Sequence, residues 1–102
     1  MKTLAETLRE DRRLVVLRTL AEVQGFHLNE IVLRTALDGF GHRVALDVLR
    51  ADLAWLEEHS LVRLEKLAPV TSGELWLVHL RREGQDVAEG RVHPGVAKLG
   101  AN

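Results

Sequence analysis

HRVALDVLRADLAWLEEHSLVRLEK, residues 42–66, is the stretch that decides the fold. Its leucines recur at the helical period of about 3.6 residues over positions 45–59. After Ser60 the hydrophobic period becomes 2, which is the period of a strand with one covered face. The change of period predicts a helix over about 45–59 that leads directly into a strand over about 61–66.

The predicted helix has two unlike sides. The side that faces the core carries Val48, Leu49, Asp52, Leu53 and Leu56. The opposite side, which is available for a partner, carries Arg43, Asp47, Arg50, Ala54 and Glu58. A helix divided in this way is typical of a protein that packs one side and presents the other.

The composition is that of one small domain. The chain has 102 residues, 46 % of them hydrophobic, which is enough for a single core. The absence of cysteine excludes disulfides, thiolate metal sites and cysteine nucleophiles, and it favours the cytoplasm. The N-terminus lacks the apolar run of a signal peptide, and no segment approaches the roughly 18 apolar residues of a membrane span. We therefore expect a soluble protein without a membrane partner.

The charge balance bears on nucleic-acid binding. Lys and Arg number 14 and Asp and Glu number 15, a net charge of −1 with neutral histidines. DNA-binding domains usually carry a basic surplus, because phosphate neutralisation supplies most of their non-specific affinity. The neutral total lowers the expectation of DNA binding but still allows a basic face.

The remaining elements follow from capping and turn signals. Thr3 with Glu6 has the spacing of a capping box, and Asn29 is a good helix N-cap. These signals and the stretch 42–66 predict helices over about 3–23, 30–40, 45–59 and 82–89. They also predict hairpin strands over about 61–66 and 75–80, which are joined by a loop that contains Pro69. This order predicts a mainly α domain with a small β-wing (α+β), the winged helix-turn-helix.

The C-terminus is predicted as a separate segment. Residues 1–90 form the winged-helix domain, and residues 91–102 form an extended tail in which Pro94 and Gly95 forbid continued helix. We expect this tail to be disordered or to lie across a partner subunit.

Several segments resemble a known family. VLRADLAWLEEHSLV is similar to the second helix and wing entry of bacterial winged-helix regulators of the arsenic-repressor and multiple-antibiotic-resistance type. More closely, residues 25–62 and GQDVAEGRVHPGV resemble small winged-helix proteins of Mu-like bacteriophages and prophages. The specific pieces are Asn29, Gly41, His42, Ala51 to Leu56, Asp86 to Arg91 and Pro94 to Val96.

The resemblance implies a winged-helix fold, a phage or prophage source in a bacterial host, and a role as a regulator. The chain departs from the pattern of such families at three places. Ala45 stands at the N-cap of the recognition helix and Ser60 at a turn often made by glycine, and Arg81 precedes the last helix where threonine is usual. Leu46 occupies a position where a polar base-reading residue is expected, which weakens the case for DNA reading.

The DNA-binding hypothesis assigns contacts to five residues. Arg43 and Arg50 would contact phosphate or guanine, Asp47 would accept from cytosine, and Arg63 and Lys66 would add wing contacts. Arg50 is the best single candidate. The alternative for Arg50 is a surface ion pair with Asp47 or Glu57.

Four hydrophobic residues are candidates for a dimer or partner interface. Leu4 and Leu8 lie on a different side of the first helix from its later leucines. Trp55 lies off the main core stripe, where it fills the space under the wing or anchors a dimer. Trp76 alternates with leucines on a two-stranded wing that cannot cover both faces. We therefore predict a homodimer, or a phage protein as the partner.

Metal and catalytic sites find no support in the sequence. The five histidines His27, His42, His59, His79 and His93 lack the local spacing of a zinc site. No phosphate-binding loop or paired carboxylates occur, so we expect no cofactor and no enzymatic activity. Two functions stay open, a phage winged-helix DNA-binding regulator and a winged-helix interaction module that does not bind DNA.

Overall fold

The computed structural model describes residues 1–68 and 73–100 of the chain. Its elements are α1 (Leu4–Glu22), β1 (His27–Asn29), α2 (Glu30–Gly39), α3 (Leu46–Glu58), β2 (Val62–Leu67), β3 (Leu75–Leu80) and α4 (Arg82–Ala88). The predicted helices and both hairpin strands are confirmed to within one residue at each end. The fold is α+β, with the helices packed beside a small sheet. The predicted hairpin loop around Pro69 lies outside the described residues.

The sheet contains one strand that the sequence did not predict. Its order is β1-β3-β2, and both pairings are antiparallel. β1 has only three residues, too few for an alternating pattern to be visible. The chain enters β1 through Phe26, whose φ of 56° lies in the left-handed region, and the Phe26 carbonyl accepts a 2.8 Å hydrogen bond from Leu80 N–H.

The helix ends follow their capping residues. The hydroxyl of Thr3 accepts from Glu6 N–H at 3.1 Å at the start of α1. The Asn29 side chain accepts from Ile31 N–H and Val32 N–H, both at 2.9 Å, at the start of α2. Asn29 is also the last residue of β1, paired in register with Leu77. One residue therefore ends a strand and begins a helix.

The passage from α3 into the sheet agrees with the sequence. Ala45 is the N-cap of α3 and makes no side-chain capping bond. Ser60 takes a φ of 62°, the left-handed conformation that glycine adopts more easily. Leu61 N–H then donates to Leu56 O at 3.0 Å, which closes the helix end.

The core lies between the helices and the inner face of the sheet. It is made of aliphatic side chains, as the composition predicts. Its fully buried members include Val16, Leu17, Leu20, Leu33, Leu37, Leu49, Leu53, Leu56, Leu61, Val62 and Val78.

The C-terminal segment corrects an expectation. Residues 91–100 fold back onto their own chain instead of being disordered or lying across a partner. Val96 is only 7 % exposed, and Ala97 N–H donates to Glu10 O on α1 at 3.0 Å. A buried valine and a backbone bond to α1 provide contacts that the Pro-Gly signal alone does not reveal.

No helix in residues 1–68 and 73–100 combines the length and the apolar character that crossing a membrane requires.

Candidate interaction surface around the third helix

One side of α3 is fastened to α2 and the sheet by Arg50. Its Nε and Nη2 donate to the two carboxylate oxygens of Glu30 at 2.6 and 2.7 Å, and Nη2 also donates to Glu74 O at 3.0 Å. Glu30 is fully buried. The ion-pair partner of Arg50 is thus neither Asp47 nor Glu57 of its own helix. A residue assigned to DNA contact has its guanidinium engaged inside the domain.

Trp76 belongs to the same cluster. Its backbone N–H donates to Glu30 at 2.9 Å, and its indole N–H donates to Glu74 Oε1 at 2.7 Å. The ring lies between the cations of Arg50, 4.6 Å from the ring centroid, and Lys66, at 4.5 Å. Trp76 is therefore covered by its own chain at 9 % exposure, whereas a partner-facing position was predicted.

The hydrogen bonds determine the ionisation of this cluster. Burial acts to raise the pKa of Glu30, but hydrogen bonds from Arg50 and from the Trp76 N–H outweigh it and hold that pKa below its ordinary value. The same contact with Glu30 raises the pKa of Arg50. Both groups are charged at neutral pH.

The other side of α3 carries a second arginine–tryptophan cluster. The Arg13 guanidinium lies 3.8 Å from the Trp55 ring centroid, and its Nη1 donates to Gly95 O at 2.9 Å. Asp52, almost fully buried, accepts from Arg12 and lies 3.5 Å from Arg13 Nε. That Nε has no hydrogen-bond partner among the residues that the structure describes. Burial lowers the pKa of Arg13, opposed by the attraction of Asp52.

Trp55 is covered by histidines and by the C-terminal segment. His59 stacks on its ring at 3.9 Å between centroids, and His93 meets the ring edge-on at 5.8 Å. Gly95 lies beside the Cζ2 and Cη2 atoms of the ring. Trp55 is therefore partly buried, with side chains and backbone of its own chain packed against the ring.

The exposed side of α3 carries carboxylates and alanines. Asp47, Ala51, Ala54 and Glu58 are all exposed along it. Arg50 is the one Lys or Arg between Leu46 and Glu58, and Glu30 holds it. The helix therefore presents no free cation on its open side.

The other predicted DNA contacts are dispersed. The Arg43 side chain, 89 % exposed, precedes α3 and pairs with Asp38 at 3.0 Å. Arg63 and Lys66 point to opposite faces of β2, because side chains alternate along a strand. The structure brings Arg50 and Lys66 together around Trp76 and places Arg43 and Arg63 elsewhere.

The first turns of α1 form a further open surface. Every residue from Met1 to Arg9 is exposed. Leu4 and Leu8, predicted at an interface, are 74 % and 46 % exposed. Leu8 and the exposed Val92 line the same cleft between α1 and the C-terminal segment.

Comparison with known proteins places the chain among phage proteins. It is 44 % identical over 86 residues to the uncharacterized protein gp26 of Escherichia phage Mu, covering 84 % of this chain and 83 % of that protein. The chain belongs to the gp26 family. An uncharacterized protein from Haemophilus influenzae (strain ATCC 51907 / DSM 11121 / KW20 / Rd) is also similar to this chain, with 44 % identity over 62 residues, which are 61 % of this chain and 60 % of that protein.

No protein-family model and no solved structure matches this gp26-family chain. The Mu-like phage family expected from the resemblance is thus confirmed by sequence relatives.

Two histidines of this gp26-family chain lie against carboxylates. His42 is buried and its Nε2 lies 2.6 Å from Asp11, while His79 Nε2 lies 3.0 Å from Glu65. Within the described ranges, no three histidine or acidic side chains are grouped as a metal site requires.

Sequence reasoning missed the residues that close the two clusters. Glu30 was not singled out, since a carboxylate at a helix start normally faces solvent. Asp52 gave a usable signal, because it falls on the leucine side of α3 and a carboxylate there needs partners. Nothing local in the sequence connects Arg13 with Gly95.

Proposed function

We propose that this gp26-family protein is a winged-helix module that joins protein chains, in the first place two copies of itself, in the cytoplasm of a bacterial host. It acts by binding and not by catalysis. The element order, with β1 between α1 and α2 and the strand order β1-β3-β2, supports the winged-helix part of this proposal. A phage protein is the natural second partner for such a module.

The exposed side of α3 is the observation that carries the proposal. A recognition helix in a major groove needs donors toward bases and cations toward phosphates. Here Asp47 and Glu58 would meet that negative surface with like charge. Arg50 would have to leave Glu30 to take part, which would leave the buried Glu30 carboxylate without its counterion.

The projecting end of α1 is the surface proposed for the second copy. A helix end without packing is marginal in water, and the Thr3 cap compensates only in part. Leu4 and Leu8 are one turn apart and form an apolar stripe. Charges of both signs border the stripe, Arg9 with Glu6, so two antiparallel copies of this end can pair opposite charges around the leucines, while Lys2 pairs with Glu10 of its own chain.

Molar mass in solution tests this proposal. We expect a dimer at tens of micromolar by light scattering coupled to size exclusion. Leu8→Glu should give a monomer of unchanged helix content, because two carboxylates would face each other across the stripe. Ala54→Glu, on the exposed side of α3, is the matched control and should stay dimeric. A monomeric wild type, or a dimeric Leu8→Glu, contradicts the proposal.

DNA binding is the second candidate, as a phage regulator. Its support is the exposed Arg63, which has no ion pair within residues 1–68 and 73–100, and the outward Arg43. In this candidate, Arg43, Arg63 and Lys66 contact phosphates, and Arg50 and Asp47 reach bases only after Arg50 leaves Glu30.

Fluorescence anisotropy with labelled duplexes separates the two candidates. Random and phage-derived duplexes are titrated at low salt and again at physiological salt. DNA binding predicts an affinity that falls steeply with salt and that Arg43→Ala with Arg63→Ala weakens, while Arg82→Ala on α4 does not. The protein module predicts no binding at high micromolar protein.

A further inference from the structure

The C-terminal segment lies on α1 and α3 in the manner of a bound peptide. We call Arg13, the Trp55 ring and the Glu10 carbonyl the segment seat. Arg13 donates to Gly95 O at 2.9 Å, and Ala97 N–H donates to Glu10 O at 3.0 Å. Val96, which lies between the two bonded residues, is buried and only 7 % exposed. The seat therefore binds backbone groups on both sides of one apolar side chain.

The seat selects glycine at the centre of the segment for two independent reasons. A Cβ on Gly95 would lie 2.5 and 2.7 Å from Trp55 Cζ2 and Cη2, far inside van der Waals contact. Gly95 also has a φ of +87°, which residues with side chains rarely adopt. Pro94 fixes the backbone just before it. The chemistry that fits is Pro-Gly followed by a β-branched aliphatic residue.

The link from α4 to the segment is weakly held. Arg91 and Val92 are exposed. The Arg91 side chain makes a 3.9 Å ion pair with Asp86 in which both side chains are exposed, and such pairs contribute little. Leaving the seat would expose Val96 and remove the Gly95 acceptor of Arg13, while the backbone hydrogen bond from Arg91 N–H to Asp86 O would stay in place at the end of α4.

We propose that the seat is a docking site for a Pro-Gly-Val segment, filled in cis in this structure and filled in trans by the same segment of a second copy. Each copy has one seat and one segment, so the contacts are the same in both arrangements. The cis form has the advantage of a high effective concentration, and exchange follows when copies are crowded together. This inference does not rest on the proposed α1 dimer, although Leu8 of that dimer lines the cleft beside the segment.

The test uses the full chain and a labelled peptide of residues 91–100. Gly95→Ala in the chain should empty the seat, while Gly100→Ala should not, because its φ is also positive, +74°, but nothing lies within 4 Å of the added Cβ. Hydrogen exchange of Ala97 N–H reports whether the seat is empty. The peptide should then bind the Gly95→Ala chain at least about tenfold more tightly than the Gly100→Ala chain.

Peptide variants check the chemistry of the seat. The peptide carrying Gly95→Ala should bind the emptied seat at least about tenfold more weakly than the native peptide, and the Gly100→Ala peptide should bind like the native one. Absence of peptide binding to a folded Gly95→Ala chain with an unprotected Ala97 overturns the inference. A Gly95→Ala chain that keeps Ala97 protected overturns it as well. If Gly95→Ala does not fold, Val96→Asp empties the seat by placing a charge in the valine site.

Exchange between copies is measured separately from the α1 dimer. In the Leu8→Glu background, a dimer should form at millimolar protein and disappear with Gly95→Ala. The wild-type chain could prove monomeric while the Gly95→Ala chain still binds the peptide. That outcome would support the seat and contradict only the proposed function. A millimolar Leu8→Glu chain that stays monomeric overturns the exchange in trans.

Discussion

Each side of α3 carries a cluster in which an arginine packs on a tryptophan ring beside a buried carboxylate. The two clusters differ in the contacts that complete them. Glu30 receives two hydrogen bonds from Arg50 and one from the Trp76 backbone. Asp52 receives a hydrogen bond from Arg12 and has Arg13 only at 3.5 Å. The first cluster is closed by a strand in the middle of the fold, and the second by a terminal segment.

This difference separates what holds the domain together from what can open. A carboxylate with three donors has its desolvation cost compensated. Around Trp55, Arg13 divides its contacts among Asp52, the ring and Gly95, and one of its nitrogens lacks a partner within the described part of the chain. We expect the Glu30 side to unfold only with the whole domain and the Trp55 side to open locally.

Glu30→Ala is the strongest test of the comparison. It removes the acceptor of the Trp76 N–H and leaves the Arg50 guanidinium with its hydrogen bond to Glu74 O. We expect the free energy of unfolding to fall by about 3 kcal/mol, the lower end for breaking a buried pair because Arg50 is partly exposed. Urea unfolding measures it. Glu65→Ala, which removes a partly exposed partner of His79, is the control and should cost less than about 1 kcal/mol.

Asp52→Ala should have a smaller effect, about 2 kcal/mol, since one of its two arginines already has other contacts. Urea unfolding again measures the change in the free energy of unfolding. Asp47→Ala, an exposed carboxylate in the same helix, should change stability by about 0.5 kcal/mol or less. If Asp52→Ala costs as much as Glu30→Ala, the two clusters are equivalent and the comparison is wrong.

Gly95→Ala should lower the free energy of unfolding by about 1 kcal/mol relative to Gly100→Ala, by loss of the segment's docking. The cost is limited, because the segment can leave instead of straining the core. Because both glycines have a positive φ, the backbone strain that alanine introduces is similar in the two variants and cancels in the comparison. A loss of several kcal/mol in Gly95→Ala would mean that the segment is part of the cooperative core.

Acid should remove the contribution of Glu30 to stability. A carboxylate whose folded-state pKa lies below its unfolded value stabilises the fold above the unfolded pKa and loses that contribution as pH falls through the folded one. Near pH 4.5, the loss of unfolding free energy is the smallest of the four predicted effects, and it increases as the pH is lowered further. Unfolding free energies of wild type and Glu30→Gln should therefore converge as pH falls. Parallel pH curves would contradict the assignment.

The fold was largely predictable because its signals are local. The change of period at Ser60 and the N-caps at Thr3 and Asn29 each depend on neighbouring residues, and each is confirmed. β1 was missed because three residues carry no period, and its pairing with β3 crosses about 50 residues of sequence.

The candidate surface was less predictable because its contacts are distant in sequence. The Arg50–Glu30 pair spans 20 residues, and the Arg13–Gly95 bond spans 82. Periodicity places Arg50 on the side of α3 opposite the core stripe, and it does not show that Glu30 of α2 reaches it. The assignments of Leu4, Leu8, Arg43 and Arg63 rest on exposure, which sequence predicts well, and their partners stay predictions.

The double role of Asn29 has a mechanical consequence. Since the last residue of β1 is also the cap of α2, no flexible joint separates the sheet from the helix pair. The next residue, Glu30, accepts hydrogen bonds from both Trp76 on β3 and Arg50 on α3. A displacement of β3 would therefore be passed to α3 through Glu30, the residue that both elements contact.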